Sequence, residues 1–315
     1  MKKTLQFIKW TILSLLAVIA IGFAYLYFSP IPSYDTQEVK FNVINDSAHI
    51  AEGARIASML CVSCHQSEDG KLGGGRIADA NEFGEIYAPN ITKVKGGITS
   101  QYSDGELAFL IRTGIKRDGQ YSPPYMAKLP HISDDDLMSI IAFLRSDHPM
   151  VQSSDKTLPA CQPNMLTKFL VRVAFKPFPY PDTVILAPSP QDKVQYGRYI
   201  ALAKFECFSC HSENFKTNNY LTPEQSKGFM GGGNPFKQGD GSVLYSANLT
   251  MHSAGLGKWT ESQFITALKS GIRPNAVACR KPMLPYAAMT DEEASAIWAY
   301  LKTIPVVDKD VTKLN

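Results

Sequence analysis

The sequence predicts an all-α protein in which two tandem helical units follow an amino-terminal transmembrane helix. Three observations carry that prediction. An apolar run over residues 10–28 follows a basic leader. The pentapeptide Cys61-Val62-Ser63-Cys64-His65 returns as Cys207-Phe208-Ser209-Cys210-His211 inside a longer repeat. Each copy of the repeat ends in apolar residues at i, i+3, i+4 and i+7, the spacing of one helical face.

The leader comes first in the chain. Lys2, Lys3 and Lys9 precede residues 10–28, a run that only Thr11, Ser14 and Gly22 interrupt. As a helix it would be roughly 28 Å long, about the thickness of a bilayer core. The lysines keep the amino-terminal end in the cytoplasm and send the remainder across. A cleaved signal peptide has a shorter apolar part, roughly 7–15 residues, and Ala20-Ile21-Gly22 makes a poor cleavage site. Residues 1–30 therefore read as a retained anchor, in contact with lipid through residues 10–28. Pro30 and Pro32 then open a polar tether over residues 31–46.

The remaining length, out of 315 residues, suffices for two ordinary domains. A content of 44% hydrophobic and 19% charged residues describes a globular chain, and a net charge of +3 gives no reason to expect nucleic acid.

Two cysteines spaced by two residues and followed at once by histidine form the attachment signature of a c-type haem. The thiols add to two vinyl groups on one porphyrin edge, and the histidine becomes the proximal ligand of iron. Cys61, Cys64, Cys207 and Cys210 are thus the predicted thioether positions of two covalently bound haem c groups. His65 and His211 are the predicted proximal ligands. A shared zinc site would need a gap of about 15–20 residues between the pairs, and here a domain-sized segment intervenes. A thioredoxin-type pair would want a βαβ setting and would not need histidine both times. Haem is attached outside the cytoplasm in bacteria, so both units are expected on the periplasmic side of the cytoplasmic membrane.

The units are predicted over residues 47–147 and 192–305. Each opens with a helix leading into its motif, residues 50–60 and 196–206. Each continues into a glycine triplet, at residues 73–75 and 231–233, and then into Tyr87-Ala88-Pro89-Asn90-Ile91-Thr92 or Tyr245-Ser246-Ala247-Asn248-Leu249-Thr250. Ser103 with Glu106, Thr260 with Gln263, Ser133 with Asp136, and Thr290 with Glu293 match the capping box that starts a helix. Leu107, Leu110, Ile111 and Gly114 follow the first of these at helical spacing, and Phe264, Ala267, Leu268 and Gly271 follow the second. The closing helices present Leu137, Ile140, Ile141 and Leu144, and Ala294, Ile297, Trp298 and Leu301. Prolines punctuate the linker, residues 148–191, and exclude long regular structure there. Within it, residues 165–176 are expected as a short amphipathic helix packing across the interface of the units, with lipid contact as the alternative. Residues 306–315 form a tail.

What fills the second axial position of each iron separates carriers from catalysts, and methionine raises the potential and closes the site. Met126 and Met283 lie in irregular, proline-containing loops, each seven residues before the cap of a closing helix. That equality makes them the predicted axial ligands. Met289, His131 and His252 are the weaker alternatives. Asn90 and Asn248 suit either a haem propionate or a turn. Tyr102 and Trp259 are expected beside the haem, and His49 and His148 in ordinary packing positions. Cys161 and Cys279 remain over and could form a disulfide in an oxidising compartment.

On CVSCH and CFSCH, the N-I-T and N-L-T loops, and the S-D-D-D-L…AFLR and T-D-E-E…AYLK endings, the chain resembles a di-haem member of the class I cytochrome c family. The resemblance implies two tandem class I cytochrome c domains, with opening and closing helices crossing at Gly53 and Phe143 and at Gly197 and Tyr300. The order of segments is similar to the cytochrome subunits of membrane-bound alcohol and gluconate dehydrogenases, although those carry three haem motifs. The implied function is electron transfer from a membrane dehydrogenase or quinol-oxidising complex to a soluble cytochrome or terminal oxidase of a respiratory chain. No acid–base constellation accompanies either motif, so an enzyme is not expected. A di-haem peroxidase, a thiosulfate-oxidising cytochrome and a structural subunit of a respiratory complex are the competing readings.

Overall fold

A computed structural model describes residues 2–314; Met1 and Asn315, the outer ends of the predicted anchor and tail, lie outside the described residues. The apolar segment is a helix, Lys2–Phe28, with no buried residue and a mean hydropathy of 2.2 over its most apolar window. Among the described residues it alone is long and apolar enough to cross a membrane.

The first repeat is built on the crossing of two helices. Ser47–Leu60 begins where the Asp46 carboxylate accepts the His49 amide, and Asp134–Arg145 closes the repeat. They meet at Gly53, where an added Cβ would lie 1.8 Å from the Ser139 carbonyl oxygen and 2.8 Å from Phe143 Cβ. Only glycine permits this approach. In the second repeat Lys193–Tyr199 crosses Asp291–Leu301, and a Cβ on Gly197 would lie 1.8 Å from the Ala296 carbonyl oxygen. All eight residues named for the closing-helix faces are buried.

Between these helices lie Asp104–Thr113 and Glu261–Ser270, both started by complete capping boxes. Gly114 and Gly271 cap these helices and do not extend their apolar faces as the spacing suggested. Thr290 and Glu293 form a third complete box. At Ser133 the hydroxyl accepts the Asp136 amide, but the Asp136 carboxylate does not return to the cap, because the second repeat claims it.

The second opening segment departs from a simple helix. Eight positions separate Gly53 from Cys61, whereas ten separate Gly197 from Cys207. The surplus is taken up by a π-helical turn, Ile200–Lys204, and by Glu206, whose φ of 46° is left-handed. This wider turn turns Lys204 inward, to 2% exposure.

Lys204 lies at the junction of the repeats. Its ammonium is 3.0 Å from Glu52 and from Asp136 and 3.5 Å from Glu293. Arg55 donates to both carboxylate oxygens of Glu293, at 2.6 and 2.8 Å, and to Glu52. The Tyr199 hydroxyl donates to Asp136 and accepts the Ser133 amide. Arg55 and Tyr199 stand two positions after their crossing glycines, and Glu293 and Asp136 three positions after their caps. The contact is therefore reciprocal, as across an approximate two-fold axis.

Two predicted connections are more ordered than the sequence suggested, and a third is seated elsewhere. Residues 31–46 lie along the first repeat and are not a free tether. The Tyr34 amide donates to the Gly119 carbonyl at 2.8 Å, and a Cβ on Gly105 would lie 1.8 Å from the Val39 carbonyl oxygen. The tail packs back as well, with Val311 2% exposed. The linker helix, Met165–Val173, does not fill the interface between repeats. It rests on the first repeat and on the end of the apolar helix, held by Lys168 and Arg172.

Candidate haem-binding sites

Each pentapeptide forms a short helical turn, Val62–His65 and Cys207–His211, entered from the opening helix. All six cysteines are free thiols. Burial, reinforced by Cys64, pushes the Cys61 thiol up to about 12, and burial with Cys210 does the same for Cys207. Among the described residues no three His, Cys, Asp or Glu side chains converge as a metal cluster.

The histidines are held alike in both copies. His65 Nδ1 lies 2.9 Å from the Pro89 carbonyl oxygen, and His211 Nδ1 lies 2.8 Å from that of Ala247. A carbonyl only accepts, so Nδ1 carries the proton and Nε2 keeps its lone pair. Burial lowers both imidazoles below the usual histidine range, against the raising effect of the carbonyl, and so favours the neutral ring. The backbone completes the support: His65 and His211 carbonyls accept the amides of Gly74 and Gly232 at 2.7 and 2.8 Å. Those middle glycines have φ of 80° and 69°, and a Cβ would meet Ala88 O at 2.3 Å or Ala247 O at 2.5 Å. Two thiols beside an imidazole of fixed tautomer form a donor set that fits covalent haem.

The methionine loops also match hydrogen bond by hydrogen bond. Ser122 N donates to Gly114 O at 2.7 Å and Cys279 N to Gly271 O at 2.6 Å. Leu129 N donates to Ile111 O and Tyr286 N to Leu268 O, both at 2.9 Å. Met126 and Met283 occupy the same place in this shared frame, each half-buried. The Ser122 hydroxyl lies 3.7 Å from Met126 Sδ, and Lys128 Nζ donates to the Pro123 carbonyl at 2.8 Å. Met289, by contrast, is a core side chain, 2% exposed.

The remaining residues find other partners. His131 Nε2 lies 3.0 Å from the Tyr220 carbonyl oxygen across the repeats, and His252 Nε2 lies 3.2 Å from Asp308. His49 sits between Asp46 and Asp135, and His148 accepts the Met150 amide. Cys161 is not bonded to Cys279: its thiol donates to Tyr87 O at 3.2 Å, while Cys279 stands where the first repeat has Ser122. Tyr102 and Trp259 pack against their cores.

For Asn90 and Asn248 the structure favours the turn over the propionate. Each accepts the amide and hydroxyl of the threonine two positions on, Thr92 or Thr250. Asn90 donates to the carbonyls of Ser154 and Lys156, and Asn248 to those of Val307 and Lys309. The chain beyond each closing helix is thereby pinned beside its histidine loop. The supporting carbonyls of Pro89 and Ala247 went unread in the sequence, although they align in the repeated Tyr-x-x-Asn-x-Thr loop.

Comparison with known proteins places this geometry. The family model described as Cytochrome c matches residues 50–147. This segment is similar to a cytochrome c domain. The match takes in Cys61, Cys64, His65 and Met126, and so contains the whole of the first candidate site. Over 83% of its length the chain is 27% identical to the alcohol dehydrogenase (quinone) cytochrome c subunit of Gluconacetobacter polyoxogenes, covering 57% of that protein. It is 28% identical to the fructose dehydrogenase cytochrome subunit of Gluconobacter japonicus, over 78% of this chain and 50% of that one. A diheme cytochrome c-type protein of Cereibacter sphaeroides is 25% identical, over 79% of this chain and 83% of the relative. The chain thus spans between half and three-fifths of the length of the two dehydrogenase subunits. All three of these relatives are cytochromes or cytochrome subunits by description.

Proposed function

We propose that this protein is a membrane-anchored electron carrier with two haem c groups, the second repeat being a second domain of the kind found at residues 50–147. The observation that carries this reading is the equivalence of the two sites. His65 and His211 bond to matching carbonyls, and Met126 and Met283 stand in loops with matching hydrogen bonds.

In this reading Cys61 and Cys64, and Cys207 and Cys210, hold the two porphyrins, and His65 with Met126 and His211 with Met283 ligate the irons. Haem c, when bound, supplies a one-electron ferric–ferrous couple. The chain's own residues do the rest. Pro89 and Ala247 orient the imidazoles, while Asn90 and Asn248 close the loops beside them. The salt-bridged junction around Lys204 fixes one site relative to the other. Residues 10–28 cross the cytoplasmic membrane and leave the haem units on its periplasmic side. The similarity to dehydrogenase cytochrome subunits supports a membrane dehydrogenase or quinol-oxidising complex as donor and a soluble cytochrome or terminal oxidase as acceptor.

The test is to purify the full chain from a host that attaches haem c and to measure its mass, its haem content and its spectra. Two covalent haems per chain, both low-spin with methionine features, are expected. A colourless product, or pigment that acid-acetone extracts completely, would overturn the reading; a high-spin iron with peroxide turnover would turn it toward an enzyme.

A further inference from the structure

The linker helix Met165–Val173 has three distinct faces. Thr167 and Val171 are fully buried: the Thr167 hydroxyl donates to the Phe83 carbonyl at 2.7 Å, and Val171 packs with Ile31 and Tyr121. Roughly 100° further round, Lys168 and Arg172 grip the end of the apolar helix. Lys168 Nζ donates to the Tyr27 carbonyl at 2.6 Å. Arg172 donates to the Ser29 hydroxyl at 2.8 Å and the Pro30 carbonyl at 2.6 Å, and lies 5.5 Å from the Tyr25 ring centre. The third face carries Leu166, Phe169 and Val173, which are 50%, 46% and 59% exposed. These residues fall at i, i+3 and i+7 and form one apolar stripe turned away from the rest of the chain.

We propose that this stripe lies in the outer interface of the bilayer as a second, peripheral contact with lipid; the inference rests on the reading of Lys2–Phe28 as an inserted anchor. Position selects lipid as the occupant. The helix is bound to Tyr25, Tyr27, Ser29 and Pro30, the point at which the apolar helix ends, so it sits at the depth where an inserted chain leaves the hydrocarbon. Tyr25, Tyr27 and Phe28 give that end the aromatic character of a membrane–water boundary. Lys168, Arg172 and Lys176 set positive charge beside the stripe, suited to lipid phosphates. A helix lying in the interface with its apolar face about 5–10 Å into the headgroup–acyl boundary has this composition. Because the same helix holds Phe83 of the first repeat, its seating on lipid would fix the height and tilt of the first haem unit above the membrane.

Site-directed spin labelling of the full, haem-loaded chain in lipid nanodiscs tests the proposal. Cys161→Ser and Cys279→Ser remove the two thiols not needed for haem, and Phe169→Cys places a nitroxide on the stripe. Val18→Cys, within the apolar helix, and Val243→Cys, exposed in the second repeat where the strand Val243–Tyr245 pairs antiparallel with Pro235–Lys237, are the controls, and haem absorbance verifies folding. The expected result is a ratio of oxygen to hydrophilic nickel-complex collisions several-fold higher at Phe169→Cys than at Val243→Cys. If Val18→Cys reports lipid while Phe169→Cys reports water, the stripe does not seat on the bilayer and a protein must cover it; the proposal falls and the anchor stands. If Val18→Cys itself reports water, both fall together.

Discussion

Lys204 of the second repeat places its ammonium 3.0 Å from Asp136 of the first, a carboxylate that would otherwise complete the capping box at Ser133. Both are nearly inaccessible, at 3% and 10% side-chain exposure. A buried carboxylate of one unit is thus neutralised by a cation supplied by the other, and the stability of the two units is coupled.

Lys204→Met tests that coupling. It keeps the aliphatic stem and leaves Glu52, Asp136 and Glu293 with Arg55 as the remaining cation of the cluster. Breaking a buried pair on one side costs about 3 kcal/mol or more. Denaturant unfolding of the haem-loaded chain should show a lower midpoint and a separation of the two repeats into distinct transitions. An unchanged single transition would mean that the junction contributes little.

The same cluster sets the pH range of the junction. Burial alone would raise Glu52 and Glu293, but the hydrogen bonds from Arg55 and the charge of Lys204 outweigh it and hold both below 4.5. Their contribution is therefore fully present above 4.5 and is lost as pH falls through their lower folded values. Burial would lower Lys204, but Asp136, Glu52 and Glu293 hold it above 10.5, so its contribution fades only as pH rises through that higher value. The junction's own contribution should be constant near neutrality, and thermal melts should show its loss on the acid side, below 4.5. Replacement of Glu52 by Gln should shrink that acid-side loss.

Gly53→Ala and Gly197→Ala probe the helix crossings. Each methyl group would sit 1.8 Å from a carbonyl oxygen of the closing helix, and that contact can be relieved only by parting the helices. Overpacking of this kind costs about 3 kcal/mol. Each variant should lose stability and yield less haem-loaded protein. A variant that folds and loads like the parent would show that the crossings can slide.

Met126→Ala and Met283→Ala should each open one iron and lower its potential. The expected shift is on the order of 0.1 V or more, within the roughly 0.8 V span that axial ligands control. Redox titration monitored by absorbance resolves this, and each variant should move one component only. Should both keep the parent's titration, sulfur is not the ligand at either site.

Sequence order determines which of these features could be read in advance. The boxes at Ser103, Thr260 and Thr290 were legible because both partners lie within one helical turn. The box at Ser133 was only half legible, since Lys204 captures Asp136 from a distant segment. The pairing of Arg55 with Glu293, 238 positions apart, leaves no local trace. Residues 31–46 read as a tether because their order comes from backbone contacts such as Val39 against Gly105, which composition does not record. At the candidate sites, Cys and His announce themselves by spacing, and Met126 and Met283 by their equal distance from a cap. The roles of Asn90 and Asn248 required knowing where the chain passes after each closing helix. One clue was present and unused: the unequal spacing from Gly53 to Cys61 and from Gly197 to Cys207 foreshadows the π turn that delivers Lys204.

The reciprocal pairing of Arg55 with Glu293 and of Tyr199 with Asp136 has a further consequence. A surface that meets its own counterpart is saturated by a single copy, so this patch joins two units and cannot extend them into a fibre or a longer array. Any additional subunit has to dock on the outward flanks, where each half faces a different neighbourhood.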